Sequence, residues 1–260
     1  MSGNTAAPEE HLSTVGFRLA PFPDGAEVFE TSWPVRLGDT DSDGRLRLDA
    51  VARYLQDAAY DNLKTAPEGR LHQAWLIRRT VMDVLGPIEF GEQVRLRRWA
   101  GGLSEHWVDV RVRLDGENGG VIDTTSFGIH IDPVAGRPAR MTDRFKAPML
   151  AHTTDHRLRW KAMLREFPGA AADETHPFPL RVTDFDWLRH VNNAVYWEVV
   201  EEHLPSWAAA GPYRGVVEHV GAVTAGDKVE VRSTDAGSAR RIQVEVDGTA
   251  RALALIEPIG

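Results

Sequence analysis

Arg181-Val182-Thr183-Asp184-Phe185-Asp186-Trp187-Leu188-Arg189-His190-Val191 repeats the pattern of Arg36-Leu37-Gly38-Asp39-Thr40-Asp41-Ser42-Asp43-Gly44-Arg45-Leu46, 145 residues earlier (181 against 36), and both carry Arg-x-x-Asp-x-Asp. A second pair agrees: Asp83 to Val94, with Gly91-Glu92-Gln93-Val94, lines up with Glu218 to Val229, with Gly226-Asp227-Lys228-Val229, 135 residues later (226 against 91). An internal repeat decides architecture before any single motif does, because each copy is one supersecondary unit. The second copy is shorter between its two signatures.

Each Asp-x-Asp signature is followed by a helical pattern. Asp49 to Leu63 carries Val51, Leu55, Ala58 and Ala59, with Asp49 as a suitable cap; Asn193 to about His203 carries Val195, Val199 and His203 on one side and Tyr196, Val200 and Leu204 on an adjoining one, with Asn192 or Asn193 as the cap. Alternating runs then predict antiparallel strands at Gln93 to Trp99, Trp107 to Leu114 and Val121 to Ile131, and again at Lys228 to Arg232, Arg241 to Val246 and Ala250 to Ile256. Asp115-Gly116 and Asp247-Gly248 read as turns. Each half is strand, helix and antiparallel meander, an α+β arrangement in which the sheet covers the helix. Between the halves, Leu158 to Phe167 predicts a short helix within a connecting segment, and residues 1–14 read as disordered.

The chain has 260 residues, 42% apolar and 26% charged, enough for one large domain or two ordinary ones. Its start has neither the basic nor the apolar stretch of a leader, and no run is long enough to span a membrane, so a cytoplasmic address is the expectation. Zero cysteines exclude disulfides, thiolate metal sites and a cysteine nucleophile. A formal charge of -8 argues against nucleic acid as a partner. The clustered arginines (Arg78-Arg79, Arg95 to Arg98, Arg111 to Arg113, Arg137 to Lys146, Arg157 to Arg165) read either as a solvated face or as a patch for phosphates or an acidic carrier.

Asp39-Thr40-Asp41-Ser42-Asp43-Gly44 opens like a calcium loop, but Ala50 stands where the bidentate Glu belongs and a strand precedes it, so no metal is expected. The richer constellation is Asp184 to Tyr196, where a carboxylate (Asp186), an imidazole (His190) and two amides (Asn192, Asn193) converge on a helix start. Free N–H groups and the positive dipole end suit an oxyanion, and a carboxylate just before them suits attack on a carbonyl or activation of water. The competing reading makes Asp186 and the Asn pair caps and His190 an interior residue.

The pattern Asp-x-Asp-x-x-x-His-Val-Asn-Asn-x-x-Tyr at 184–196 resembles the signature of the acyl-ACP thioesterases. Tyr54-Leu55-Gln56-Asp57-Ala58-Ala59-Tyr60-Asp61-Asn62 resembles the family's first helix, Trp75-Leu76-Ile77-Arg78-Arg79 its Trp-x-x-x-Arg strand, and Gly91 to Trp99 its Gly-Asp-x-Val strand; the likeness covers about residues 25–235. It implies a double hotdog, two copies of a long helix wrapped by an antiparallel sheet: residues 15–150, a connecting segment 151–175, and 176–260. It further implies hydrolysis of fatty acyl-acyl carrier protein without a cofactor, the second unit supplying the chemistry and the first accommodating the acyl chain. Asp186 and His190 match the family's catalytic Asp and His, and Asn192 follows in the signature. Leu188 replaces the family's Asn, and Val223-Thr224 stands where the family carries Glu-Cys; Glu218, His219, Glu198, Glu202 and His203 are nearby substitutes. Asp41 with Gly44 is similar to the aspartate and glycine of single-hotdog acyl-CoA thioesterases, so two sites are conceivable. Alternatives are an acyl-CoA thioesterase, an acyl-thioester-binding protein without turnover, and a hotdog dehydratase using His203 with Glu218. A tandem chain meets its pairing need internally, and a homodimer of such chains is equally open.

Overall fold

The computed structural model describes residue 14 and residues 16–259, the side chain of Ala170 excepted. Of the N-terminal stretch expected to be disordered, only Thr14 is described, and its N–H donates to Glu257 Oε1 at 3.1 Å.

Among the described residues, ten strands form one antiparallel sheet: β1 (Phe29–Pro34), β2 (Trp75–Gly86), β3 (Gln93–Leu103), β4 (Trp107–Gly116), β5 (Val121–His130), β6 (Glu174–Phe178), β7 (Tyr213–His219), β8 (Val229–Ala236), β9 (Ala239–Val246) and β10 (Thr249–Pro258). Their order, β1-β3-β4-β5-β2-β7-β10-β9-β8-β6, reads the same from either edge once each strand of the first half is matched to its counterpart in the second. β2 and β7 meet at the centre, where Val81 lies opposite Val216. Those two valines are 135 apart, the spacing of the sequence repeat, so a pseudo-two-fold axis passes between them.

Two helices, α1 (Leu48–Thr65) and α3 (Asn193–Glu202), lie side by side on one face of this sheet. Val51, Tyr54 and Ala58 of α1 and Val195, Trp197, Val199 and Val200 of α3 share one core cluster with both half-sheets. Trp197 is 1% exposed and presses on Gly215, where an added Cβ would lie 2.9 Å from the indole; only glycine lets the strand approach so closely. The Asp247-Gly248 turn has both residues at positive φ, as a tight hairpin requires. The first-half turn moves past the expected Asp115-Gly116, which ends β4, to Glu117–Gly120.

Two expectations are corrected, and one element is added. Asp49 is not the cap of α1; it sits inside the first turn, ion-paired with Arg47 and Arg53 at 2.8 and 2.5 Å. A short helix, α2 (Asp143–Leu150), capped by Thr142, was not foreseen. Residues 158–167 form an extended strap on the sheet's other face, not a helix. Leu164 there joins a cluster with Val81, Val216, Leu253 and Leu255, against which Phe17 and Leu19 also pack. The strap's N–H groups go to side chains of the sheet: Met163 and Leu164 donate to Glu218, and Phe167 to Gln243. Sheet partners thus supply what helical bonding would have supplied.

Candidate active site

Asp186 lies in the tight loop before α3. Its backbone N–H donates to His190 O at 3.0 Å, Phe185 bridges Val191, and Arg189 takes φ +62° to close the turn. The carboxylate Oδ1 accepts the N–H of Leu188 at 2.9 Å and of His190 at 3.4 Å, while Oδ2 has no partner among the described residues. Asp186 is partly exposed and His190 exposed; their side chains share no hydrogen bond, so the loop brings the two together through backbone. His190 also bridges Thr224, and Val191 N–H donates to Val223 O, which seats the Val223-Thr224 backbone beside that of His190.

Asn192 caps α3, its Oδ1 accepting Ala194 N–H at 2.9 Å. The same amide pairs twice with Gln56 of α1, at 2.9 and 3.2 Å. Asn193 N–H, first in the helix, donates to no acceptor among the described residues. Carboxylate, exposed imidazole and helix N–H groups therefore stand within one loop and one helical turn, an arrangement able to activate water and hold an oxyanion.

The first-half counterpart differs. Asp41 Oδ1 accepts the N–H of Asp43 and Arg45, at 2.9 and 2.8 Å, and Oδ2 is held by the Arg45 guanidinium at 2.9 Å. Partial burial opposes ionisation of Asp41, but Arg45's backbone and guanidinium outweigh it and hold the carboxyl below its usual range. His190 stands where Arg45 stands and Leu188 where Asp43 stands, so Asp186 escapes that clamp.

The nearby substitutes are placed elsewhere. Glu218 is buried, bonded to Arg79 and to the strap. Glu198 binds Arg181. His219 packs edge-on to Tyr196, and burial, aided by the Arg78 charge, pushes its imidazole down to about 4, so it is neutral. Glu202 and His203 line a cavity of about 520 Å³ at the far end of α3, with Phe178, Val199, Leu204 and Val231. Glu218 and His203 are thus engaged in separate places. Ion pairs engage part of the arginine runs, as in Arg95 with Glu30, Arg97 and Arg113 with Asp115, and Arg111 with Asp123. Sequence reading missed Gln56 and Glu201, whose signal lies only in the repeat: each is eight residues after the first residue of its helix.

The acyl-ACP thioesterase N-terminal domain model matches residues 26–149 and its C-terminal domain model residues 169–252. An uncharacterized protein of Mycobacterium tuberculosis strain H37Rv is 36% identical over 249 residues, 95% of this chain and 98% of its own. Among solved structures, the 12:0-ACP thioesterase from Umbellularia californica is similar with TM-score 0.71 at 20% identity, covering 88% of this chain and 96% of its own. An acyl-ACP thioesterase from Bacteroides thetaiotaomicron gives 0.72 at 14% identity, covering 88% and 97%.

Proposed function

Because this chain belongs to the acyl-ACP thioesterase family, and is therefore a thioesterase-family protein, we propose that it hydrolyses fatty acyl thioesters of acyl carrier protein at the start of α3. We read the fold as a double hotdog, with units at 15–150 and 176–260 and residues 151–175 leading into the second. Asp186 is the base that draws a proton from water as the water oxygen attacks the thioester carbonyl. The Asn193 N–H and the positive end of α3 stabilise the oxyanion, and C–S cleavage returns the proton to the departing thiolate. His190, exposed beside the carboxylate, orients water or relays the proton, and Asn192 holds the helix start in place. With Leu188 and Val223-Thr224 in place of the family's side chains, Asp186 carries more of the chemistry alone.

The observation that carries this reading is the unclamped carboxylate of Asp186, set against its clamped twin Asp41. The cavity at the end of α3, lined also by Glu174, His176 and Arg240, lies about 15 Å from the helix start, the length of its ten residues. Thiol release from acyl-ACP and acyl-CoA panels of several chain lengths tests the proposal. Release from acyl-ACP that Asp186→Asn loses supports it, and preference for CoA would make this an acyl-CoA thioesterase. Binding without release in the wild type would make it an acyl-thioester-binding protein.

A further inference from the structure

Tyr196 and His219 meet between α3 and the end of β7, their rings edge to face at 4.9 Å, and neither is satisfied. Tyr196 is 6% exposed, yet its hydroxyl has no hydrogen-bond partner among the described residues. His219 Nε2 is buried and has none either. Buried hydroxyl and imidazole groups ordinarily find partners, because a lone one costs free energy. The pseudo-two-fold axis supplies a comparison within the molecule: Tyr196 corresponds to Val51 (196 against 51, 145 apart) and His219 to Val84 (219 against 84, 135 apart). Val51 is fully buried in the core cluster, and Val84 packs against it. Two valines close this place in the first half, so the fold does not require the polar pair in the second.

What the pair lacks is an acceptor. Arg251 lies alongside: its O accepts the N–H of Val220 and Gly221, its side chain runs over Gly221, and its charge acts on Tyr196. Its Nε is buried without an acceptor, and its guanidinium has no ion pair among the described residues. Asp227, whose charge also acts on Tyr196, is taken by the N–H and hydroxyl of Thr224, at 2.7 and 3.1 Å. The same stretch of chain leads to the candidate active site. His219 to Thr224 runs from β7 to the bridge with His190, and Tyr196 follows Asn193 by three residues, about 4.5 Å along the helix and on the same face. The carrier arm must lead out to solvent, whereas Tyr196 and His219 Nε2 are interior, so the oxygen they meet belongs to the acyl chain.

We propose that Tyr196 and His219, with Arg251 beside them, recognise an oxygen on the third carbon of the acyl chain, so that 3-oxo- and 3-hydroxyacyl thioesters are preferred over unsubstituted ones. The proposal rests on the thioesterase reading above and names the substrate class within it. With the thioester carbonyl at Asn193 N–H, an oxygen on the third carbon stands three bonds from the carbonyl carbon, within the step of one helical turn. The Tyr196 O–H and the imidazole N–H donate to it. A hydroxyl substituent can in turn donate to the other imidazole nitrogen, because His219 is neutral. An unsubstituted chain leaves these groups without partners, which is the discrimination.

The test is kcat/KM for 3-oxoacyl, 3-hydroxyacyl and unsubstituted acyl thioesters of one chain length, on ACP and on CoA, in wild type, Tyr196→Phe and His219→Phe. Both replacements keep a ring and remove polar atoms that have no partner in the free protein, so the thermal midpoint is expected to hold or rise. Wild type is expected to favour the oxygenated chains by about 10-fold or more, and each variant to cut that preference at least about 5-fold while unsubstituted turnover stays within about 2-fold. Equal wild-type rates on the three chains, or a preference that both variants leave unchanged, overturns the assignment. A uniform fall on all three also overturns it: with the thermal midpoint held, the pair grips the carrier arm, and with the midpoint lowered, it serves the fold. A wild type that hydrolyses none of these thioesters removes the thioesterase reading instead.

Discussion

Asp41 and Asp186 sit in loops of the same shape and meet different neighbours. Arg45 turns Asp41 into a strut, whereas His190 and Leu188 leave one oxygen of Asp186 unclaimed. Replacing Asp41 by Asn should therefore cost stability, about 1 kcal/mol, more than rate. Glu201 gives a sharper pH prediction. Its carboxyl is raised from 4.5 to about 7 in the fold. Between those values the folded state holds a proton that the unfolded chain has released, so stability falls as pH rises through this window. Urea denaturation should show wild type losing on the order of 1 kcal/mol relative to Glu201→Gln between pH 5 and pH 8. An unchanged difference would mean that Glu201 titrates as a free carboxylate.

At the scale of elements, α1 and α3 cap each other. Gln56→Ala removes the partner of Asn192 and should cost about 1 kcal/mol and lower turnover by disturbing the start of α3, read by thermal denaturation and kcat together. Gly215→Ala drives a methyl into the Trp197 ring and should destabilise by about 1–3 kcal/mol. The cap of α3 was legible in the sequence because Asn192 lies within two residues of the N–H it accepts. The cap of α1 was not, since Glu201 is 153 residues from Leu48 and only the pairing of the halves brings them together. The helix expected at 158–167 failed for a related reason: its apolar residues are used, but on a sheet face whose Glu218 and Gln243 take the backbone donors. Local pattern recovers elements whose partners are local, and here the contacts that tie each helix start to the facing helix straddle the repeat.

Across the whole molecule, the central seam binds the halves with crossed ion pairs. Arg79 of β2 meets Glu218 of β7 at 3.0 Å, and Arg214 of β7 meets Asp83 of β2 at 2.6 Å, each residue the counterpart of one in the other pair. Arg79 also donates to Lys161 O and Arg214 to Phe17 O, so each pair fastens one strap. Glu218→Ala strands a buried guanidinium and two strap N–H groups and should cost about 3–5 kcal/mol by denaturant titration, with both halves unfolding together. The repeat, the α+β class and the position of the Asp186 loop could all be read from the chain; the division of labour between two similar loops could not, because it depends on which side chain clamps which carboxylate. The central claim, that turnover comes chiefly from the start of α3, is met most directly by kcat for acyl-ACP hydrolysis in wild type, Asp186→Asn and Asp41→Asn side by side. The account predicts a fall of about 100-fold or more in Asp186→Asn and less than about 5-fold in Asp41→Asn. Full turnover in Asp186→Asn, with loss in Asp41→Asn, would contradict it and move the chemistry to the first half.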